Sequence, residues 1–170
     1  RFTSMLNTEL RVKSGLTYGA RAATICRNAA GYASYNSFTR TDATEQAIDL
    51  ALVVQDRLHN QTVDSDQLES ARRYVIGQFA PRYETNSQLA QAFTHLALQG
   101  KTRDDIEGYA TRINAVTSEA FSSARSVYPT EKNYAMVVIG DAEKIETIVA
   151  KYGPVTRISI TAPGFSPTTP

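Results

Sequence analysis

The sequence predicts an α+β domain with helices packed on one mainly antiparallel sheet. Three observations lead there. Residues 16–27 and 32–40 have the two-residue period of strands. Residues 41–128 carry a long succession of helical stripes, and 133–160 read as strand, helix, strand.

With 170 residues the chain is long enough for one domain with a real core, assigned here to residues 1–160, followed by a loose Pro-rich tail over 161–170. Lys plus Arg is 18 and Asp plus Glu is 17, and a net charge of +1 gives no reason to expect nucleic acid or an anionic membrane as partner. No apolar run reaches the roughly 18 residues of a membrane span. Cys26 is the one cysteine, with no histidine near it in sequence, and reads as a buried, inert thiol that reports no redox compartment.

The chain opens on Arg1, already inside a helical pattern of Phe2, Met5, Leu6 and Leu10 without a clean N-cap. It reads as an N-terminally truncated piece of a longer protein. Any targeting signal would then lie upstream. The first helix, residues 2–13, closes at Lys13, Ser14 and Gly15, with Arg11 and Lys13 near the negative end of its dipole. The strand over 16–27 places Leu16, Tyr18, Ala20, Ala22, Thr24 and Cys26 on one face and Thr17, Arg21, Ile25 and Arg27 on the other. A turn at 27–31 joins it to the strand 32–40 as an antiparallel hairpin.

Asp42 and Glu45 resemble a capping box before a helix striped by Ala47, Ala51, Val54 and Leu58. Asp64 and Gln67 open a second, with Leu68, Ala71, Val75, Ile76 and Phe79 inward and Pro81 past its end. Residues 86–100 form a third, closed by Gly100, and 102–116 and 117–128 two shorter ones. The continuous apolar run 133–140 suits a strand covered on both faces, Asp141 caps a helix through Tyr152, and 154–160 is the last strand.

Little of this carries chemistry. His59 and His95 lie on separate helices with no Cys, Asp or Glu at ligand spacing, so they read as helical histidines and no metal site is expected within the chain. The segment 139–144 lacks the glycines and Lys-Ser/Thr of a phosphate loop, and the acids of 103–107 suit a helix start. Arg11 and Tyr18 remain, seven residues apart across Gly15. As a side-by-side guanidinium and phenol they would grip a carbonyl and stabilise negative charge growing on its oxygen. The plain alternative is a helix-end charge and a strand aromatic.

The stretch FTSMLNTELRVKSGLTYGARA resembles a segment of the insulinase (pitrilysin) family of zinc metallopeptidases, the group of the mitochondrial processing peptidase, the core proteins of the cytochrome bc complex and paired bacterial homologues. The pattern L-R-x-K-x-G-L-x-Y is carried by Leu10, Arg11, Lys13, Gly15, Leu16 and Tyr18. The likeness continues through YETNSQLAQAF, with Glu84, and YAMVVIGDAEKI to VAKYGPV, and so covers nearly the whole chain.

The resemblance implies a processing-peptidase-like metallohydrolase domain from the C-terminal half of such a protein. In that family two halves or subunits close around a peptide. Zinc sits on an H-x-x-E-H helix of one half, while an Arg and a Tyr of the other hold the substrate carbonyl. Carried over, those residues are Arg11 and Tyr18, and the zinc motif is absent from this chain. The implied partners are a peptide substrate and a zinc-bearing half, on the same polypeptide or on a separate subunit of a heterodimer. The implied cofactor is zinc in the parent assembly, not bound by this chain. The alternative is a catalytically inactive structural or partner subunit of the same fold. A bacterial periplasm or cytoplasm suits the resemblance equally.

Overall fold

The structure, a computed structural model, describes residues 3–25, 27, 30–125, 134–161 and 164. Its elements are mostly helical. An α-helical turn, α1 (Met5–Asn7), runs directly into a π-helical segment, Thr8–Lys13. Strands β1 (Ala20–Ile25) and β2 (Tyr32–Ser37) pair as a two-stranded antiparallel sheet. Then come α2 (Thr44–Asn60), α3 (Ser65–Gly77), α4 (Asn86–Leu98), α5 (Arg103–Glu107), α6 (Tyr109–Asn114), α7 (Ser118–Arg125) and α8 (Ala142–Val149). Among the described residues no helix is long and apolar enough to cross a membrane.

The chain divides into two compact units. One comprises Phe2–Ala23, Ser34–Gln55 and Thr130–Pro170. Its core is the stripe of α2 met by the first helix: Leu6, Leu10 and Val54 are buried together, with Met5, Ala20, Leu50 and Ala51 packed around them. Leu16, Ala43 and Ala47 form a second cluster, joined to the first by Leu50. The predicted stripe of α2 thus faces this core at Ala47, Ala51 and Val54. Near the C-terminus, the Tyr152 hydroxyl donates to Asp49 Oδ1 at 2.6 Å, and Lys151 pairs with Glu45. These two bonds fasten the segment after α8 to the solvent side of α2.

The other unit comprises Thr24–Ala33 and Asp56–Pro129. Here Asp64 caps α3 by accepting from the Gln67 N–H at 2.7 Å. Thr85 and Gln88 form a reciprocal capping box on α4, directly after Glu84, and Gly100 at φ 65° ends the chain's helical course there. Phe79 stacks on Tyr109 at 4.0 Å between centroids and meets Tyr83 at a tilt, which gives this unit an aromatic centre. Arg72 of α3 donates to Glu69 at 3.3 Å and to the Val116 carbonyl.

Several expectations are corrected. The sheet has two strands among the described residues, not four. Residues 134–139 form neither helix nor strand, and 154–160 contribute only an isolated bridge at Ile158. Their apolar side chains are exposed, Val137 at 85%, Ile139 at 80% and Ile160 at 72%, because no neighbouring strand covers them. A covered-strand pattern describes what the side chains need, and pairing requires a partner backbone.

The strand expected over 16–27 begins only at Ala20, since the backbone of Leu16 and Thr17 is engaged by the preceding helix. The strand expected over 32–40 stops at Ser37. The Asp42–Glu45 capping box does not form: Asp42 pairs with Arg40 at 3.1 Å and Glu45 with Lys151, and a 3-10 turn at Thr41–Ala43 leads into α2. Ala71 and Val75, expected inward on α3, are exposed, while Leu68 is buried. The helix expected over 102–116 breaks at Gly108, where a Cβ would fall 2.7 Å from an Arg112 nitrogen and 3.0 Å from the Asp104 carbonyl oxygen. Cys26, residue 133 and most of the 161–170 tail lie outside the described residues.

Candidate functional site

The first helix has the cap that the sequence reading missed. Ser4 Oγ accepts from the Asn7 N–H at 3.3 Å, and the Thr8 N–H donates to the Ser4 carbonyl at 2.8 Å. From Thr8 the helix widens to π-helical turns, and the Ser14 N–H reaches back five residues to the Glu9 carbonyl at 3.2 Å. π-Helical segments are rare and are found frequently at functional sites. Here the wide turn is closed by side chains. Ser14 Oγ donates to the carbonyls of Glu9 at 2.7 Å and Leu10 at 2.9 Å, and Lys13 bridges to Glu9 at 2.8 Å.

Gly15 then takes φ 64°, a left-handed conformation that glycine adopts without steric cost. The chain folds back so that the N–H groups of Leu16 and Thr17 both donate to the Leu10 carbonyl, at 2.9 and 3.2 Å. The end of the helix is therefore capped by the residues that lead to Tyr18. Thr17 is buried, and its hydroxyl brackets Tyr18 from behind by donating to the Gly19 carbonyl at 2.9 Å while accepting from the Gly19 N–H at 3.0 Å. Thr39 Oγ1 donates to the Leu16 carbonyl at 2.7 Å, and Ser37 Oγ to that of Gly19 at 3.3 Å.

This turn brings together the two side chains singled out in the sequence. Arg11 Cζ lies over the Tyr18 ring, 4.6 Å from its centroid. Tyr18 is 76% exposed, and Arg11 is half-buried. Tyr18 precedes β1 and lies outside it, so its side-chain direction follows from the turn and not from strand alternation. A cation over an aromatic face is attracted by the ring quadrupole. The arrangement presents a permanent cation and a phenol on a solvent-reachable turn with a fastened backbone.

Among the described residues no three His, Cys, Asp or Glu side chains gather as a ligand set of the kind zinc takes. His59 ends α2, and His95 on α4 shares a 2.8 Å hydrogen bond with Gln99. The acids at the start of α5 are occupied locally: Asp105 accepts from the Thr102 N–H at 2.9 Å, and Glu107 pairs with Arg103 at 2.6 Å. Asp141 stands at the N-cap of α8 but pairs with Lys144 at 2.8 Å, and that hydrogen bond holds its carboxyl below the usual range.

No protein-family model matches the sequence, and no curated protein matches it. Solved structures do. A peptidase M16 inactive domain from Pseudomonas fluorescens superposes with a TM-score of 0.67 at 20% identity, over 76% of this chain and 31% of that one. The fold is M16-like. A conserved protein from Enterococcus faecalis gives a TM-score of 0.62 at 17% identity, over 74% of this chain and 29% of that one. The chain thus spans less than a third of the length of either solved protein. At these identities the likeness concerns the fold alone.

Proposed function

We propose that the chain is a substrate-binding, zinc-free domain of an insulinase-type metallopeptidase, with Arg11 and Tyr18 as hydrogen-bond donors to the carbonyl oxygen of a bound peptide. The contact of the Arg11 guanidinium with the face of the exposed Tyr18 ring carries this reading. Two donors of different kinds stand together on a turn whose backbone is bonded on several sides. Donors aimed in advance at a site of developing negative charge cost no reorganisation when the charge appears. Arg adds a charge that is never lost at working pH, and charge-assisted hydrogen bonds are about twice as strong as neutral ones. The zinc belongs to another half of the assembly, on the same polypeptide or on a separate subunit.

A second reading is a non-catalytic structural or partner subunit of the same fold. It draws support from the solved relative described as an inactive domain. Under that reading Arg11 and Tyr18 are a surface stack with no substrate.

Assembly with the zinc-bearing half separates the two. Peptide turnover is measured for wild type, Arg11→Ala and Tyr18→Phe alongside thermal melts. The substrate-binding reading expects kcat/KM to fall in both variants while the melts stay close to wild type. Unchanged turnover in both leaves the structural-subunit reading.

A further inference from the structure

Asn7 is a polar side chain only 4% exposed, set between the buried Leu6 and Leu10 in the first helix. An apolar residue would suit that setting better, since a buried amide is costly unless hydrogen-bonded. Its Oδ1 accepts from the N–H of Ala20 at 3.1 Å. Ala20 is the first residue of β1 and lies two residues after Tyr18, while Asn7 lies one helical turn before Arg11. The bond therefore ties the segment that carries one member of the pair to the segment that carries the other. Thr17, 8% exposed, does the matching work inside the turn, where its hydroxyl both donates to and accepts from Gly19 and so fixes the backbone on either side of Tyr18.

We propose that Asn7 and Thr17 are positioning residues that hold the Tyr18 ring against the Arg11 guanidinium, a role that rests on the reading of those two as a working pair. Neither is expected to touch a peptide. An exposed ring on an unfastened loop would sample many orientations, and an exposed cation–π contact is too weak to select one of them alone. Backbone bonds fixed from the buried side supply that selection.

The test is NMR of the 170-residue chain, reading the ring-current shift that the Tyr18 face imposes on the Arg11 δ-methylene protons. Wild type should show an upfield shift that Tyr18→Leu removes. Thr17→Val keeps the shape of the side chain without the hydroxyl, and Asn7→Leu removes the acceptor. Each should lose most of the shift while the dispersed methyl spectrum of the fold persists. Thr17→Ser should restore it.

A full shift in folded Thr17→Val overturns the proposal, as does its absence in wild type or a failure of Thr17→Ser to restore it. Should Asn7→Leu fail to fold, Thr17→Val alone decides. Turnover measurements remain separate: lost turnover in the pair variants with an unmoved shift in Thr17→Val keeps the substrate role and removes the positioning role. The opposite pattern does the reverse.

Discussion

The Arg11 guanidinium sits over the Tyr18 ring, with Cζ 4.6 Å from the centroid. The phenyl ring alone is enough for that contact, so Tyr18→Phe should leave stability within about 0.5 kcal/mol of wild type. Tyr18→Ala removes the ring as well and should cost on the order of 0.5–1 kcal/mol, the size of an exposed cation–π contact. Urea unfolding of the three proteins checks both values. Equal losses in Phe and Ala would show that the hydroxyl, not the ring, supports the fold.

Leu10 is 1% exposed and packs with Leu6 and Val54 directly beneath the turn that carries the pair. Its carbonyl is also the acceptor for Leu16 and Thr17. Leu10→Ala should cost roughly 2–5 kcal/mol, and Leu10→Met, which nearly conserves volume, less than about 1.5 kcal/mol. Denaturant midpoints of both variants are the check. A Leu10→Ala protein as stable as wild type would mean that this cluster is not the core of its unit.

Partial burial, together with the hydrogen bond to Asp49, pushes the Tyr152 phenol above its usual value of 10.0. The folded state thus favours the protonated phenol. Its stabilisation is complete below about pH 10 and is lost as pH rises through the folded value. Tyr152→Phe should therefore be less stable than wild type at neutral pH, by about 0.5–1.5 kcal/mol, the size of a typical intramolecular hydrogen bond. The gap should narrow at strongly alkaline pH. Thermal melts of the two proteins across that range test this, and a gap independent of pH would contradict it.

Val137, Ile139 and Ile160 expose large apolar side chains outside any helix or strand. Unpaired segments with apolar side chains invite association. The chain should bind a dye specific for apolar surface, and Val137→Ser with Ile139→Ser should reduce that signal and any self-association seen by sedimentation. Dye binding that the double substitution leaves unchanged would place the sticky surface elsewhere.

The helix boundaries were legible wherever a local bond sets them. Asp64 with Gln67 and the glycine at Gly100 do in the structure what their spacing implies. Ser4 was available as a cap and was overlooked because the apolar pattern had been extended through Phe2. Asp42 and Glu45 were misjudged for one reason: an acid near a helix start reads as a cap, yet each has a cation within reach, in Arg40 and Lys151. Asp141 does stand at the N-cap of α8, although its side chain turns to Lys144.

Residues 134–139 and 154–160 show the limit for strands, whose pairing depends on a partner that local pattern does not contain. The candidate site was half legible. The types and spacing of Arg11 and Tyr18 were visible in sequence, whereas the π-helical turn and the Thr17 bonds to Gly19 follow no residue pattern that announces them, and the Asn7 bond to Ala20 joins residues thirteen apart.

A double-mutant cycle on Arg11 and Tyr18 in the assembled peptidase tests the central claim most directly. kcat/KM is measured for wild type, Arg11→Ala, Tyr18→Phe and the double variant. Loss of one donor to a developing oxyanion costs on the order of 2–4 kcal/mol in transition-state stabilisation, so Tyr18→Phe should fall by that amount and Arg11→Ala by at least as much. Because the two act on one oxygen, the double variant should lose less than the sum. Wild-type kcat/KM in both single variants would contradict the account and leave Arg11 and Tyr18 as a stacked pair on the surface of the fold.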